Sequence, residues 1–327
     1  MKKTVTFIIT TALVIAMVLM MMAGCTGKGS SDVKKVGIIQ YVEHIALDSA
    51  REGFIDALED NGYIDGENIE IDVQNAQADQ SNLSTISDRF VANKVDLVLA
   101  IATPAAQSIA GKTKDIPIVG TAITDYEAAK LVESNEAPGG NVTGTTDMNP
   151  IKEQIDLLVK LVPDAKTVGV IYTSSEDNSI VQAAIAKEAI EALGLTYTEV
   201  TITSSNDVQQ AIQSLVEKCD AIYLPTDNVL ASSMPIISGV TIESKTPVIC
   251  GEAGMVSSGG LATLGIDYYD LGYKTGLMAV KILKGEAEPA TMPIESADKF
   301  EFAINGTVAR AIGIEIPEDL AEYVVEY

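Results

Sequence analysis

The sequence predicts an α/β protein made of two Rossmann-like lobes, each containing a parallel sheet. Residues 96–101 form a short apolar run of the kind expected for a strand buried on both faces. Thr103-Pro104 follows at once, where Thr suits a helix N-cap and Pro the first helical turn. Residues 116–123 form a second apolar run that ends in Thr124-Asp125. Repetition of strand, polar residue and helix is typical of parallel sheets, whose ligands bind at the carboxyl ends of the strands.

The same alternation runs through both halves of the chain. In the first half we predict strands at 36–40, 69–73, 96–101 and 116–123, with helices at 46–61, 83–92 and 103–111 and after Asp125. The turn-rich residues 138–144 interrupt this pattern. It restarts with a helix at 151–161, and we then predict strands at 167–172, 196–202, 221–224, 246–250 and 261–267 and helices at 180–193, 208–216 and 271–283.

The N-terminus carries an export signal. Lys2-Lys3 precede an apolar run that ends in Met22-Ala23-Gly24-Cys25, and a tract of small and polar residues follows. We therefore predict a signal peptide at residues 1–24 and a tether at 25–34. The end of the signal peptide resembles the lipobox of bacterial lipoproteins, in which Cys25 would be lipidated and become the first mature residue. An ordinary signal peptide and a single membrane anchor remain alternatives.

Composition limits the possible partners. The chain has 327 residues, of which 47% are hydrophobic and 21% charged, so it is long enough for two domains with separate cores. Its net charge is −24, which argues against binding to nucleic acid or to anionic lipid. Cys219 and Cys250 lie in or beside predicted strands, and we expect two buried thiols, although a disulfide is possible in an oxidising compartment.

No catalytic or cofactor motif is complete. Residues 106–113 fit a relaxed P-loop pattern, but Gly111 ends a predicted helix where a P-loop would begin one. His44 is the only histidine, so the His clusters of a typical zinc site are excluded, and there is no Gly-x-Ser-x-Gly sequence. We therefore predict no enzyme activity, no metal and no cofactor.

Polar residues gather where the predicted strands end, and both halves of the chain contribute them. These residues are Tyr41, Thr103, Thr124, Asp125, residues 174–179, residues 226–228, Glu252 and Asp267. Two facing lobes would bring them to one cleft, the usual place for a small ligand. Hydroxyls, amides and helix N–H groups can hold a carboxylate, and an Asp can hold an ammonium group. The set could therefore recognise an amino acid, although each residue alone could simply cap a helix.

Several segments together resemble one family, the tryptophan/tyrosine-type substrate-binding lipoproteins of ABC transporters. The segments that carry the resemblance are residues 102–106, 122–125, 138–144, 174–179, 225–228 and 267–285. One departure is Tyr126, because many relatives have Pro after the Asp. The resemblance implies a type I periplasmic-binding-protein fold, with two lobes joined by three hinge strands that close on an aromatic amino acid. The ligand-binding residues that we predict are Tyr41, Thr103, Pro104, Ala105, Thr124, Asp125, Ser175, Asn178, Ser179, Asp227, Asn228 and Asp267.

The resemblance also implies lobe boundaries and partners. We expect lobe 1 to comprise residues 35–147 plus 268–290, and lobe 2 residues 148–267 plus 291–327. The expected partners are a small-molecule ligand, an ABC transporter permease and the membrane, through a lipid on Cys25, with no nucleic acid and a monomeric chain. The expected location is the extracytoplasmic face of a bacterial membrane. The alternatives are a receptor for another amino acid, a nucleoside or a sugar, and a ligand sensor of the same fold.

Overall fold

A computed structural model describes residues 33–327. The predicted signal peptide and nearly all of the tether lie outside the described residues, and Lys34 of the tether already belongs to the first strand. Two sheets of mostly parallel strands, with helices packed against them, confirm the predicted α/β class. We call the parts of the chain around the first and second sheet lobe 1 and lobe 2.

Lobe 1 is a six-stranded parallel sheet with helices on its faces. Its strands are β1 (Lys34–Gln40), β2 (Ile69–Asn75), β3 (Leu97–Ile101), β4 (Ile118–Ile123), β5 (Val142–Thr146) and β11 (Glu295–Ser296). Their order in the sheet is β11-β5-β4-β3-β1-β2. Its helices are α1 (Ile45–Asp60), α2 (Gln80–Asn93), α3 (Thr103–Ala110) and α10 (Tyr268–Leu283). Every residue of β3 is buried, as its apolar sequence predicts.

Lobe 2 has a seven-stranded sheet in the order β13-β12-β10-β9-β8-β6-β7. Its strands are β6 (Thr167–Thr173), β7 (Thr196–Ile202), β8 (Ala221–Leu224), β9 (Val248–Cys250), β10 (Ala262–Gly265), β12 (Glu301–Asn305) and β13 (Val324–Val325). Only the β10–β12 pair is antiparallel among the described pairs of this sheet. Its helices are α4 (Ile151–Leu161), α5 (Asp177–Ala192), α6 (Val208–Val216), α7 (Asn228–Ser232), α8 (Met234–Ser244), α9 (Ala253–Ser257) and α11 (Gly306–Ile312). Short 3₁₀ helices lie at Ser205–Asp207, Pro289–Thr291 and Glu318–Tyr323.

Helix α10 comes late in the chain but packs on α1 of lobe 1. The two helices approach almost to backbone contact, because a Cβ atom added to Gly272 would lie 1.9 Å from the Ala50 carbonyl oxygen. A Cβ atom on Gly53 would lie 2.1 Å from the carbonyl oxygen of Tyr269. Glycine is therefore required on both helices, and this contact fixes α10 on lobe 1.

The chain passes between the two sheets at residues 147–150, 266–267 and 297–300. The third passage differs from our expectation that lobe 2 resumes at residue 291. Glu295 and Ser296 instead pair with Thr145 and Thr146 of β5, within the first sheet. A two-residue strand is too short to show a period in the sequence, so this boundary could not be predicted from pattern.

Two predictions about local structure were wrong. No helix follows Asp125, because residues 126–130 form a turn in which Lys130 has the left-handed φ of 58°. The Asp125 carboxylate accepts hydrogen bonds from the N–H groups of Glu127 and Ala128 and so supports this turn. Cys219 and Cys250 are both free thiols, but only Cys250 is buried, and Cys219 is partly exposed.

Candidate functional site

A cavity lies between the lobes at the carboxyl ends of the parallel strands. Residues of both lobes line it: His44, Leu47, Ala122, Asp147, Asn178, Thr226, Asp227, Asn228, Ala231, Glu252 and Tyr268. All the space between its atoms amounts to about 290 Å³. The centre of a water-sized sphere, however, can reach only about 10 Å³ of this space. The cavity therefore holds roughly one water molecule, and the lobes must open before an amino acid can enter it.

Three buried carboxyl groups line this cavity, those of Asp147, Asp227 and Glu252, and a fourth, Glu176, contacts the lining residue Asn228. Neither Lys nor Arg is among the described residues that line it. Burial raises the pKa of Glu176 to about 8 and that of Glu252 to about 7, and it also raises the pKa values of Asp147 and Asp227. Buried carboxyl groups without a cationic partner favour the binding of a positively charged group.

Asp227 and Glu176 tie the ends of several lobe 2 elements together. Asp227 Oδ1 accepts hydrogen bonds from the Thr173 hydroxyl and the Leu230 N–H, each at 2.9 Å, and so caps α7. Its Oδ2 accepts from the Thr173 N–H at 2.6 Å. Glu176 Oε2 accepts from Asn228 Nδ2 at 2.6 Å. The strand β6 and the starts of α5 and α7 therefore meet at two neighbouring acids, and the presence of Asp227 further raises the pKa of Glu176.

Asp147 occupies the first passage between the lobes. Its two oxygens accept hydrogen bonds from the Thr124 hydroxyl at 2.9 Å and from the Tyr268 hydroxyl at 2.7 Å. Tyr268 begins α10, directly after the second passage. Asp147 therefore links two hinge segments and also lines the cavity.

The start of α3 differs from the predicted cap. Ala102, not Thr103, occupies the N-cap position, and its φ of 80° and ψ of 152° lie in a region that suits glycine. The Thr103 hydroxyl is buried and has no hydrogen-bond partner among the described residues. Ala122, at the end of β4, also has a left-handed φ of 55°. Strained backbone of this kind costs about 1–3 kcal/mol per residue and often occurs at ligand sites.

The structure brings most of the predicted site residues to this region. Asn178, Asp227 and Asn228 line the cavity. The hydroxyl of Thr124 contacts Asp147, and the hydroxyl of Ser179 accepts a hydrogen bond from Asn178 Nδ2 at 3.3 Å. Four more predicted residues are buried at the carboxyl edge of the lobe 1 sheet: Tyr41 follows β1, and Thr103, Pro104 and Ala105 begin α3.

Three predicted residues face elsewhere. Asp125 supports the turn described above, and Ser175 is exposed. Asp267 is exposed and caps α10 by accepting a hydrogen bond from the Asp270 N–H. Asp125 and Asp267 satisfy backbone N–H groups at the starts of a turn and a helix, so for them the capping alternative is correct.

The prediction omitted several residues that line the cavity. Thr226 and Glu252 stand among the polar strand ends in the sequence, but they were not selected as ligand-binding residues. His44 was considered only as a metal ligand or catalytic residue. Asp147 follows β5, a strand that the turn-rich sequence of residues 138–144 concealed.

Two further observations concern metals and membranes. Within residues 33–327, no group of three or more His, Cys, Asp or Glu side chains is arranged to hold a metal ion. None of the helices in the same part of the chain is long and apolar enough to cross a membrane.

Two α/β lobes around a polar cavity define the class of solute-binding proteins with the type I periplasmic-binding fold. The chain belongs to the family of ABC transporter substrate-binding proteins, whose family model matches residues 35–327. A tyrosine-binding protein of Clostridioides difficile strain R20291 is 46% identical over 296 residues, which cover 90% of this chain and 86% of the relative.

Two solved structures are similar over nearly the whole described chain. One is a Streptococcus pneumoniae domain in complex with L-Trp, 41% identical, with a TM-score of 0.86 and coverage of 89% of this chain and 99% of that chain. The other is a substrate-binding protein of Clostridium difficile in its ligand-free, open state, 49% identical, with a TM-score of 0.68 and coverage of 90% and 99%. The chain thus resembles the open structure less, despite the higher identity. Together with the small cavity, this difference indicates that the lobes are closed.

Proposed function

We propose that this protein is an extracytoplasmic, lipid-anchored receptor that delivers an aromatic amino acid to the permease of an ABC importer. The observation that carries the ligand class is the 46% identity to a tyrosine-binding protein over 90% of the chain, supported by the likeness to a structure with bound L-Trp. The cavity chemistry supports the same class, because buried acids without a cation suit an ammonium group.

The charges around the cavity favour one orientation of the amino acid. Its ammonium group would lie near Asn178, Asp227 and Asp147, where carboxyl groups are concentrated and the amide oxygen of Asn178 has no partner in the described part of the chain. Its carboxylate would be repelled there. The start of α3 suits the carboxylate better, since the Thr103 hydroxyl has no hydrogen-bond partner within residues 33–327 and a helix N-terminus carries a partial positive charge.

The side chain of the ligand would then point toward α1, whose start contributes His44 and Leu47 to the cavity wall. Burial of an aromatic ring is worth about 1.5–3 kcal/mol. Such a gain corresponds to a preference of about tenfold or more over a small aliphatic amino acid. This preference is the property that defines the ligand class.

A fluorescence titration tests the ligand class. The protein has no Trp, so bound tryptophan would be the only indole in the complex. With excitation at the red edge of the indole band, we expect its emission to shift to the blue and its anisotropy to rise as protein is added. Tyrosine and phenylalanine should compete. Failure of all three, together with binding of an aliphatic amino acid, a nucleoside or a sugar, would contradict the proposal and leave the receptor class alone.

The membrane anchor rests on the sequence Met22-Ala23-Gly24-Cys25. We expect Cys25→Ala to release the protein from membranes or to block its processing, because the thiol that accepts the lipid is lost. Partition of both proteins into a detergent phase measures this effect. If Cys25→Ala partitions like the wild type, there is no lipid on Cys25.

Equilibrium sedimentation of the wild type with and without ligand tests the expected monomer.

A further inference from the structure

His44 carries a buried hydrogen-bond acceptor that the fold leaves without a partner. The ring lies at the start of α1 and lines the cavity, and its Nδ1 atom is buried with no partner among the described residues. His44 also lines an adjoining pocket, together with Ile45 and Ser258. A buried polar atom without a partner is costly, so a ligand that satisfies Nδ1 gains affinity.

The contacts of the ring determine which nitrogen carries the proton. Asn228 Nδ2 donates to Glu176 Oε2 at 2.6 Å, so the Asn228 oxygen faces His44 Nε2, at 3.3 Å. The Asn228 N–H and the Asn178 amide also point at Glu176 Oε2, so this oxygen accepts even when Glu176 is protonated. Nε2 must therefore donate. Burial lowers the pKa of His44 to about 4, so the ring is neutral at pH 7 and Nδ1 presents a lone pair.

The lone pair of Nδ1 needs a donor from the ligand, and an aromatic amino acid can offer two kinds. The ammonium group prefers a charged or chargeable oxygen, and Asp147 and Asp227 provide these elsewhere in the cavity wall. Near His44 the wall includes the apolar Leu47 and Ala231. A phenol O–H or an indole N–H at the end of the ligand's ring is therefore the donor that fits this position.

We propose that His44 is a specificity-determining residue, whose Nδ1 accepts a hydrogen bond from the side chain of the ligand and so selects tyrosine and tryptophan over phenylalanine. This inference rests on the proposed function. Phenylalanine fills the same space but leaves Nδ1 without a donor. A site built for such a bond rejects the ligand that lacks it.

Two substitutions separate the acceptor from the contact with Asn228. Asn at position 44 can place its amide oxygen near the position of Nδ1, whereas Gln can place its amide nitrogen near that of Nε2. His44→Asn therefore keeps the acceptor, and His44→Gln keeps the donor to Asn228. The side chain of His44 makes no helix-capping hydrogen bond, so neither change removes a cap from α1.

Isothermal titration with tyrosine, tryptophan, phenylalanine and 4-fluorophenylalanine provides the measurement. We expect the wild type to prefer tyrosine over phenylalanine by about tenfold or more, since a buried acceptor left unsatisfied costs about 1–3 kcal/mol. This ratio should fall to within about threefold in His44→Gln and be largely kept in His44→Asn. 4-Fluorophenylalanine, which matches tyrosine in size but has no donor, should behave like phenylalanine.

Other outcomes overturn the inference. An equal loss of affinity for all four ligands in both variants would mean that His44 holds the lobes together or meets the ammonium group. If the ratio of tyrosine to phenylalanine affinity is unchanged in His44→Gln, another residue determines the preference for the ligand side chain. Melting temperatures like that of the wild type show that a variant is folded. Failure of the wild type to bind any of these ligands would instead overturn the proposed function.

Discussion

At the scale of single residues, the buried acids at the cavity are the carboxyl groups whose pKa values are raised within the described part of the chain. The pKa of Glu176 rises from its ordinary value of 4.5 to about 8, with burial as the main cause and Asp227 as the second. The pKa of Glu252 rises to about 7, again through burial. At these two sites the free folded protein therefore binds more protons than the unfolded chain, from about pH 4.5 up to about 7 for Glu252 and about 8 for Glu176. The lowered pKa of His44 opposes this difference by at most one proton, and only below about pH 6.5.

This difference predicts how the free protein responds to pH. The stability that Glu176 contributes is present below about pH 4.5 and is lost as the pH rises through about 8. The melting temperature of the free protein should therefore fall between pH 5 and pH 8, and calorimetry measures it. Glu176→Gln, which cannot ionise, should flatten the curve. If the melting temperature of the wild type rises over this range while that of Glu176→Gln does not, the raised pKa of Glu176 is contradicted.

The same acids predict the pH dependence of binding. An ammonium group is attracted to ionised carboxylates, so the affinity for an amino acid should increase from pH 5 to pH 8, while the ligand itself stays zwitterionic. Isothermal titration in buffers of different ionisation enthalpy would also detect the protons that are released. If the affinity stays constant from pH 5 to pH 8, the proposed orientation of the ligand is contradicted.

Single residues also mark where sequence reasoning succeeded. The rule that ligands bind at strand ends correctly placed Asn178, Asp227 and Asn228 around the cavity. The same rule placed Ser175 and Asp267 there too, but these side chains are exposed. Position along the chain predicts which end of the sheet a residue occupies, whereas the direction of its side chain depends on packing that sequence alone does not reveal.

At the scale of elements, long amphipathic or apolar segments were predictable and short ones were not. Strand β3 and helix α1 lie within a residue or two of their predicted bounds. The short helices α7 and α9 were not predicted, because one and a half turns are too short to show a helical period in the sequence. The longer helix α8 was not predicted either. Helix α7 begins with Asn228, and α9 directly follows Glu252. The failure to predict them therefore affected the site as well as the fold.

The contact between α1 and α10 provides a prediction at this scale. Gly272→Ala should destabilise the protein by about 1–3 kcal/mol or more, because the new methyl group would overlap the Ala50 carbonyl and force the helices apart. Gly239→Ala in α8 is the matched control, since a Cβ atom there meets nothing within 4 Å. It should stabilise the protein by about 0.5–1 kcal/mol. Urea unfolding of both variants measures the difference, and similar effects would contradict the close packing.

At the scale of the whole molecule, hydrogen bonds between the lobes hold the closed arrangement. Gln107 Nε2 of α3 donates to Asp177 Oδ2 of α5 at 2.8 Å, outside the cavity. Gln182 Nε2 donates to the Thr124 hydroxyl at 3.3 Å, close to Asp147. Ligand affinity in such a protein depends on the balance between open and closed states as well as on direct contacts.

Gln107→Ala tests this balance without altering the cavity wall. Loss of one such bond, worth about 0.5–1.5 kcal/mol, should weaken ligand binding by roughly two- to tenfold. Small-angle scattering should show a larger radius of gyration for the free variant and the same compact form for both proteins at saturation. Gln209→Ala, at an exposed position on α6, is the control. Unchanged affinity and radius in Gln107→Ala would mean that the bond does not bias closure.

The late position of α10 and β11 in the chain has a consequence for synthesis and export. The lobe 1 sheet reaches β5 at Thr146, but its helix α10 begins only at Tyr268 and its edge strand β11 at Glu295. About 120 residues separate β5 from α10 and about 150 separate it from β11. At roughly 5–20 residues per second, the N-terminal half is therefore synthesised about 6–30 s before these two elements. During that time the surface of α1 that α10 will cover is bare. Because lobe 1 cannot complete its hydrophobic core until these late elements have been synthesised, the chain stays unfolded for longer. This delay favours passage of the unfolded chain through a secretion channel before the receptor folds.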